Sequence, residues 1–279
     1  MYKSKKMYFK SPSEIFRKYT NELENIKPKL MSIFEDRILT KEIFEMDVRE
    51  IPKGSPGLAY YSRPSKDGRR QGSFSVNIHN TKSMTKDIVA TITLHEACPG
   101  HHMQNTILDQ SGELPKFLTN YVGLPGDIPN HMPAPSYLAF KEGWGLYSEF
   151  LGYDLGIYKN EPLKELGYIK GDLLRSARLV VDIGIHRFGW SRSKAIEYLM
   201  NNTGYSLETA TAQVDRYISS PGQAVAYKVG EREIQRLRQK FINENGKNLK
   251  KFHTFILKCI GPLEDLEDCV AEMFAEFDK

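Results

Sequence analysis

The chain lacks the features of several protein classes. No apolar run approaches about 18 residues, so no membrane span is expected. The basic start is followed by no apolar stretch, which argues against a secretory signal. No Lys/Arg stripe with interleaved aromatic residues accompanies the net charge of +4, so we expect no nucleic-acid partner and no membrane partner. The three cysteines cannot all pair and none has C-x-x-C spacing, so we expect a reduced, cytoplasmic protein.

What the sequence contains is a succession of helical patterns. Its 40% hydrophobic and 27% charged residues are typical of a soluble globular protein, and 279 residues suffice for a substantial core. Residues 1–45 are expected to form an N-terminal helical segment, with a helix from Ser11 to Phe34 capped by Ser13. Residues 46–279 are expected to form the main domain. Helical patterns there cover residues 85–98, 136–152, 162–188, 191–202, 206–217, 221–244, 248–258 and 263–277.

The region from Met46 to Asn80 differs from the helical segments in its residue pattern. Proline and glycine interrupt short apolar or alternating runs, which predicts two strands, Gly57–Ser62 and Gly72–Ile78, joined by a polar loop. We expect the second strand to have an exposed edge that aligns an extended substrate by backbone pairing, with Asn77 among the substrate-binding residues. A Gly- and Pro-rich stretch from 111 to 135 predicts a long loop. The expected fold is therefore mainly α with a small sheet near the active site.

The most informative stretch is the eight-residue block 95–102, His-Glu-Ala-Cys-Pro-Gly-His-His. A His-Glu pair followed closely by further histidines is the composition of a zinc hydrolase site. In the H-E-x-x-H motif the second histidine lies four residues after the first, but here that position is Pro99, which cannot bind a metal. Pro99 must kink or end the helix, so the site depends on the backbone around it.

Either His101 or His102 could be the second histidine ligand. In an ideal helix His101 would point about 240° and His102 about 340° round from His95, and His102 would lie ~10 Å along the axis. A bulge of two residues at the Pro-Gly step would make His101 the equivalent of the usual i+4 histidine. We therefore favour His101 as the ligand and place His102 among the substrate-binding residues, although the sequence leaves both open.

A third ligand should come from another helix, because catalytic zinc takes three protein ligands and a water. Glu142 is the best candidate, since it opens a helical segment about 40 residues downstream. Glu149 lies on the same helix face and could orient a ligand histidine. Gly143 and Gly145 would allow another backbone to come close.

Two later segments also carry chemical groups. Asp182 and His186 stand at i and i+4 on an apolar helix, either as a helix-stabilising pair or with Asp182 orienting His186 toward the substrate. Farther on, the phenol of Tyr227 could donate to an oxyanion, or it could simply pack in the core. Arg216 could bind a carboxylate with two hydrogen bonds, which would imply carboxypeptidase-like action.

These residues resemble a known family, DUF885, which is grouped with the zincin-type metallopeptidases. The resemblance runs from about residue 50 to about residue 245. The matching blocks, in order, are H-E-x-x-P-G-H-H at 95–102 with Gln104, E-G-W-x-L-Y-x-E at 142–149, D-x-G-x-H at 182–186 with Gly189-Trp190, and R-Y…P-G-Q-A…A-Y-K…G from 216 to 230. Four blocks in the right order are far more specific than any one of them.

The resemblance implies a zincin-like helical fold and peptidase activity. Carried across, His95, His101 or His102, and Glu142 would bind one Zn²⁺, and Glu96 would be the base. Members of the family are longer, with an extra N-terminal helical region, which implies that this chain holds the catalytic half. An oligomer or a partner could then complete the cleft.

We therefore expect a zinc-dependent hydrolase that cleaves a peptide substrate. Glu96 would take the proton of the attacking water and pass it to the leaving amine. Tyr227 or His186 would stabilise the oxyanion. The alternatives are a zinc amidase or esterase acting on small molecules, a catalytically silent module with a structural metal, and, least favoured, a helical interaction protein without metal.

Overall fold

The computed structural model describes residues 7–54, 57–65, 69–79, 81, 84–111, 137–244 and 248–277. The chain is mainly α-helical with a small sheet, which confirms the expected fold class. No helix in the described ranges is long and apolar enough to cross a membrane. The loop predicted for residues 111–135 lies, apart from Ser111 at the end of a helix, outside the described residues.

The helices follow the predicted pattern closely, and most of the boundaries agree within a few residues. In chain order the helices are α1 Pro12–Ile26, α2 Lys41–Phe44, α3 Ile88–Glu96, α4 His101–Ser111, α5 Leu138–Phe150, α6 Pro162–His186, α7 Arg192–Thr203, α8 Leu207–Ser219, α9 Gln223–Glu244, α10 Leu249–Ile256 and α11 Leu266–Phe277. Short 3₁₀ segments cover Lys27–Ser32, Asp36–Ile38 and Leu263–Asp265.

The first helix begins differently from the prediction. Ser11 is the N-cap, and its hydroxyl accepts a hydrogen bond from the backbone N–H of Glu14 at 3.2 Å. Pro12 follows as the first helical residue, where its missing N–H has no cost. The prediction of Ser13 as the cap was therefore wrong by two residues, because Pro12 belongs inside the helix. Beyond Ile26 the chain tightens into the 3₁₀ segment Lys27–Ser32.

The described residues form one three-stranded sheet in the order β1-β3-β2, with β1 at Asp47–Glu50, β2 at Ala59–Ser62 and β3 at Ser73–Val76. β1 runs parallel and β2 antiparallel to β3. The expectation that the Gly72–Ile78 strand has an exposed edge was wrong, because β3 is paired on both sides. All four residues of β3 are buried, its serines included. The edge strand nearer to the motif is β2.

Three apolar clusters hold the elements together. The largest is shared by α3, α5 and α9 with the C-terminal helices and also takes in residues 26–43, while a second joins α1 to β3 and α3. Within the predicted 1–45 segment, residues between Phe9 and Ile43 therefore pack into the same cores as the rest of the described chain. A third cluster lies among α6, α7 and α8. The motif helix α3 thus belongs to the two clusters that fix its position.

Helices α5 and α9 cross at a glycine pair. A Cβ at Gly230 would lie 1.7 Å from the backbone oxygen of Ala139, and one at Gly143 would lie 2.5 Å from the backbone of Gly230. Only residues without a side chain allow this approach. The pair therefore brings α9 against the helix that carries Glu142.

Two of the three cysteines are paired, contrary to the expectation of a reduced protein. Cys259 and Cys269 form a disulfide across a sequence separation of 10 residues. Cys98 is free and buried. Burial raises the pKa of its thiol to about 12, so it is an inert core residue and not a nucleophile.

Candidate metal centre

The motif is divided between two helices. α3 ends at Glu96 and α4 begins at His101, with the Pro-Gly step between them. A Cβ at Gly100 would lie 1.8 Å from the backbone oxygen of His95, so the chain can fold back this tightly only at glycine. The indole N–H of Trp144 donates to the carbonyl of Pro99 at 2.9 Å and fixes the turn. The break brings His101 back beside His95, as the bulge interpretation predicts.

Among the described residues, one group of His, Cys or acidic side chains is arranged to hold a metal ion: His95, His101 and Glu142. One ligand atom from each lies within 4.8 Å of the others. Glu142 Oε2 is 3.6 Å from His95 Nε2 and 3.4 Å from His101 Nε2. Ligands at 2.0–2.1 Å in a tetrahedral arrangement lie roughly 3.4 Å apart, so the two separations that involve Glu142 match those between zinc ligands.

The orientation of the His95 ring is fixed by a hydrogen bond at Nδ1, the nitrogen that does not face Glu142. Its Nδ1 lies 2.7 Å from Oε1 of Glu149, which leaves Nε2 facing Glu142. Arg175 Nη2 donates to the same Glu149 oxygen at 2.9 Å. A carboxylate that holds the far nitrogen of a ligand histidine is the usual support of a metal site. Glu149 therefore has the orienting position proposed for it from the sequence.

Gly145 makes room for both imidazoles. A Cβ there would lie 2.7 Å from Cε1 and Nε2 of His95 and 3.1 Å from Cε1 of His101. The two rings meet edge to face with centroids 4.8 Å apart. This glycine thus accommodates ligand side chains, whereas Gly143 accommodates a backbone.

Charge at the site is arranged for a cation. Burial disfavours the charged form of His95, but hydrogen bonds with Glu142 and Glu149 outweigh it and raise its pKa to about 9. Burial likewise opposes ionisation of Glu142, yet hydrogen bonds with His101 and His95 hold its pKa well below 4.5. The carboxylates therefore demand a positive charge at this point, which a proton or a metal ion can supply.

Glu96 follows His95 directly and remains partly exposed at the end of α3. Its Oε2 accepts a hydrogen bond from the backbone N–H of Tyr61 at 3.0 Å. Tyr61 lies in the edge strand β2, so the sheet holds the carboxylate in place. The other carboxylate oxygen has no hydrogen bond to any described residue and is available for a proton.

His102 points away from the three donor atoms. Its Nε2 donates to the backbone carbonyls of Ile43 and Glu42 at 3.1 and 3.2 Å. Its ring packs edge-on against Tyr61 with centroids 5.3 Å apart, and the residue is 3% exposed. Burial lowers the pKa of His102 to about 4. Of the two adjacent histidines, the structure therefore brings His101 to the candidate metal-binding group, and His102 ties α4 to the segment before β1.

Tyr227 adjoins the centre from α9. Its ring stacks on that of His95 with centroids 6.2 Å apart. Its hydroxyl oxygen accepts hydrogen bonds from Gln223 Nε2 at 3.1 Å and from Arg216 Nη2 at 3.4 Å. Burial foremost, and the nearby carboxylate of Glu142, raise the pKa of Tyr227, so the phenol keeps its proton. Both acceptor positions are used, and its O–H has no acceptor among the described residues.

His186 and Asp182 are not paired with each other. His186 Nε2 donates to the carbonyl of Tyr217 at 2.9 Å, and Asp182 Oδ1 accepts from the N–H of Gly222 at 3.3 Å. Both residues thus hold the break between α8 and α9. His186 is not a member of the group that could hold a metal.

Asn77 lies just after β3 and uses its side chain locally. Its Nδ2 donates to the carbonyl of Gly57 at 2.9 Å, and its Oδ1 accepts from the N–H of His79 at 3.0 Å. These contacts close the loop before β2. The structure therefore gives Asn77 a part in shaping the sheet that supports Glu96.

Sequence reasoning missed Arg178. It lies on α6, is 6% exposed, and places its guanidinium carbon 5.0 Å from the centroid of the Tyr227 ring. Its position beside Leu174, Ala177 and Val181 on the buried face of the helix was visible in the sequence. A fully buried arginine is rare unless it has a partner, and that was the available signal.

Comparisons with known proteins place these observations in a family. The family model described as "Bacterial protein of unknown function (DUF885)" matches residues 1–268. No curated protein matches the chain. One similar solved structure, described as "the putative lipoprotein from Colwellia psychrerythraea", has a TM-score of 0.84 and 31% identity over 97% of this chain.

A second structure, described as "a putative lipoprotein of unknown function from Shewanella oneidensis", has a TM-score of 0.70 and 23% identity over 93% of this chain, and it shows the fold alone. This chain spans 45% of the length of each of these two proteins. The family model matches residues 1–268, which is a longer range than the resemblance from about residue 50 to about residue 245 that the motif blocks indicate. Since that match covers nearly the whole sequence, the protein belongs to the DUF885 family.

Proposed function

We propose that the chain is a zinc-dependent hydrolase that cleaves peptide bonds. One observation carries the proposal: His95 Nε2, His101 Nε2 and a Glu142 oxygen converge, while Glu149 holds the far nitrogen of His95. Two imidazoles and a carboxylate are the ligand set of several zinc peptidases. A zinc ion held there would supply Lewis-acid polarisation of the scissile carbonyl and would acidify a water molecule.

Glu96 is the general base in this proposal. It adjoins a ligand histidine in sequence, is partly exposed, and has one oxygen fixed by the N–H of Tyr61. Its other oxygen would take the proton of the attacking water and return it to the leaving amine. The backbone hydrogen bond keeps the carboxylate from turning away between these two transfers.

Tyr227 is the proposed oxyanion donor. Its O–H is free because the oxygen already accepts from Gln223 and Arg216, and its ring contacts His95. A preorganised donor of this kind contributes about 3 kcal/mol to transition-state stabilisation elsewhere. His186, by contrast, has its Nε2 engaged by the carbonyl of Tyr217, which favours Tyr227 for this role.

The test combines metal content with turnover. The purified chain should contain about one zinc ion, and Glu142→Gln should lose it. Glu96→Gln should keep the metal but cleave mixed peptides about 10²- to 10⁴-fold more slowly. Glu208→Gln, an exposed carboxylate on α8, is the matched control and should behave as wild type.

Four outcomes would contradict the proposal. A chain without bound metal, or Glu96→Gln with full activity, would reject the mechanism. Stoichiometric metal without any Glu96-dependent turnover would indicate a binding module. Cleavage of small esters or amides but not of peptides would indicate an amidase or esterase.

We also propose that the protein works in an oxidising compartment and not in the cytoplasm. The support is the Cys259–Cys269 pair, together with the similar protein from Colwellia psychrerythraea, which is described as a "putative lipoprotein". Disulfides persist outside the reducing cytoplasm. Alkylation of the freshly isolated natural protein should label one thiol after denaturation, and three labelled thiols would contradict this location.

A further inference from the structure

Arg178 is a buried cation that has no carboxylate partner among the described residues. Its Nε donates to the hydroxyl of Tyr217 and its Nη2 to Oε1 of Gln213, each at 3.0 Å. Both acceptors are neutral. In the part of the chain that the structure describes, no carboxylate oxygen forms an ion pair with it. A buried charge that is compensated only by neutral groups is costly, so this position favours an anion nearby.

Three partly buried cations on α6 and α9 are paired with carboxylates. On α6, Arg175 contacts Glu149 at 2.9 Å and Lys170 contacts Asp87 at 2.6 Å. On α9, Lys228 lies within 3.1 Å of Glu231. Arg178 therefore differs from these cations in having no carboxylate partner among the described residues. It lies on the side of α6 that faces Tyr227.

Arg216 is a second cation at the same tyrosine. It is exposed, it reaches Tyr227 Oη with Nη2 at 3.4 Å, and among the described residues it too has no carboxylate partner. Arg178 approaches the ring of Tyr227 and Arg216 approaches its hydroxyl. The guanidinium of Arg178 is buried and held by two hydrogen bonds, whereas Arg216 is exposed, so the pair combines a buried charge with an accessible one.

The positions of Arg178 and Arg216 next to the candidate metal centre would allow them to bind an anionic group of a substrate. Tyr227 contacts both arginines and also stacks on the ligand His95. An anionic group of a bound substrate at Arg216 would therefore lie next to the reacting centre. The guanidinium fork matches a carboxylate with two parallel hydrogen bonds, which makes arginine the preferred residue for this recognition.

We propose that Arg178 and Arg216 form a carboxylate subsite beside the metal centre, which selects peptides carrying a free carboxylate on the leaving-group side of the scissile bond. Arg216 makes the direct contact, and Arg178 is a positioning residue whose fixed charge biases the Tyr227 region toward anions. The subsite rests on the proposed peptidase function. The carboxylate belongs either to the C-terminus of a peptide or to an acidic side chain near it.

Binding measured without turnover tests the subsite directly. In the full chain carrying Glu96→Gln, fluorescence anisotropy would follow three fluorescein-labelled pentapeptides: one with a free C-terminus, the same peptide amidated, and an amidated peptide ending in Glu. We expect the free acid to bind at least about tenfold more tightly than the neutral amide. Tight binding of the Glu-ending amide would assign the site to acidic side chains, and weak binding would assign it to the C-terminus.

The variants separate the subsite from general binding. Arg216→Gln should remove about tenfold of the preference for the free acid and leave binding of the neutral amide unchanged. Arg178→Lys keeps the buried charge and should retain part of the preference, whereas Arg178→Gln should lose it. Because Arg178→Gln could fail to fold, the exposed Arg216 keeps the test decisive. Arg232→Gln, an exposed arginine on α9, is the matched control.

Equal binding of acid and neutral amide by the parent chain would overturn the subsite, as would an equal loss of both ligands in Arg216→Gln. These failures differ from failure of the proposed function. If peptides are cleaved in a Glu96-dependent way without discrimination between acid and amide, only the subsite is wrong. If the acid is preferred but nothing is cleaved, the hydrolase proposal is wrong and the carboxylate site remains.

Discussion

Gly145 and His95 are in direct contact across the interface of α5 and α3. A Cβ at position 145 would lie 2.7 Å from both Cε1 and Nε2 of the His95 ring. The ring cannot retreat freely, because Glu149 holds its Nδ1 at 2.7 Å and the residue is 5% exposed. The space needed by a ligand imidazole is therefore created by the absence of one methyl group on the helix that carries Glu142.

Gly145→Ala should consequently weaken metal binding more than it weakens the fold. The added Cβ must displace the His95 ring by several tenths of an ångström, and it also presses on His101 at 3.1 Å. We expect zinc affinity, measured by competition with a chromogenic chelator, to fall at least about tenfold. Gly261→Ala is the control, since its Cβ meets nothing closer than 3.9 Å. Wild-type affinity in Gly145→Ala would show that the ligand ring is not confined.

Gly230→Ala should instead affect stability. Its Cβ would lie 1.7 Å from the backbone oxygen of Ala139, so α5 and α9 would have to separate. Overpacking of this kind costs about 3 kcal/mol or prevents folding. Urea denaturation should show the loss as a lower midpoint, whereas Val229→Ala, exposed on the same helix, should stay within about 0.5 kcal/mol of wild type. Equal stability of the two variants would contradict the close crossing.

Much of the helical framework was predictable because the periodic spacing of apolar residues agrees with the positions of the proline, glycine and capping residues that bound the helices. Four blocks, including the one that carries Glu142, lie on the elements that the sequence predicted. The Pro-Gly step also predicted the correct consequence: Gly100 lets the chain fold back and His101 returns beside His95. Local backbone chemistry decided that outcome, so a local argument sufficed.

The remaining features depend on what packs around a segment. Alternation in β3 is typical of a half-exposed strand, yet Ser73 and Ser75 are 3% and 7% exposed because the strand is central and covered on both faces. β1 carries three charged residues in four and has no apolar signal of its own. The roles of Arg178 and Tyr227 likewise follow from the approach of α6 to α9, which no spacing along the chain specifies.

Stability should fall with decreasing pH because of His253. Burial lowers the pKa of His253 to about 4, from 6.5 for an ordinary histidine. Its Nδ1–H donates to Ile33 O at 2.9 Å, and its Nε2 accepts from the hydroxyl of Tyr147 at 2.7 Å. Between pH 6.5 and about 4 the unfolded chain takes up a proton that the folded chain refuses, so unfolding becomes easier by up to roughly 3 kcal/mol.

His253→Gln isolates this contribution. The variant should be less stable at pH 7, where the buried network is lost, but its stability should decline less steeply toward pH 4 in urea titrations. Tyr147→Phe removes the hydrogen bond and retains the imidazole, so it should keep a steep decline. His102, with a pKa also lowered to about 4, accounts for part of the slope that remains. An unchanged slope in His253→Gln would refute the assignment.

The variant Glu149→Gln tests whether the carboxylate of Glu149 supports zinc binding through its negative charge or through its hydrogen bond to His95. A glutamine oxygen can still accept from Nδ1 of His95, but it removes the negative charge that His95 and Arg175 share. Supporting residues of this kind typically change metal affinity by 10- to 100-fold, and we expect a loss in that range. Zinc affinity should be compared with that of Glu165→Gln, because this α6 carboxylate accepts a hydrogen bond from the hydroxyl of Tyr153 at 3.0 Å and is not part of the candidate metal group. If Glu149→Gln binds zinc as tightly as this control, the hydrogen bond that the glutamine oxygen retains is sufficient to orient His95, and the charge of Glu149 serves to neutralise Arg175.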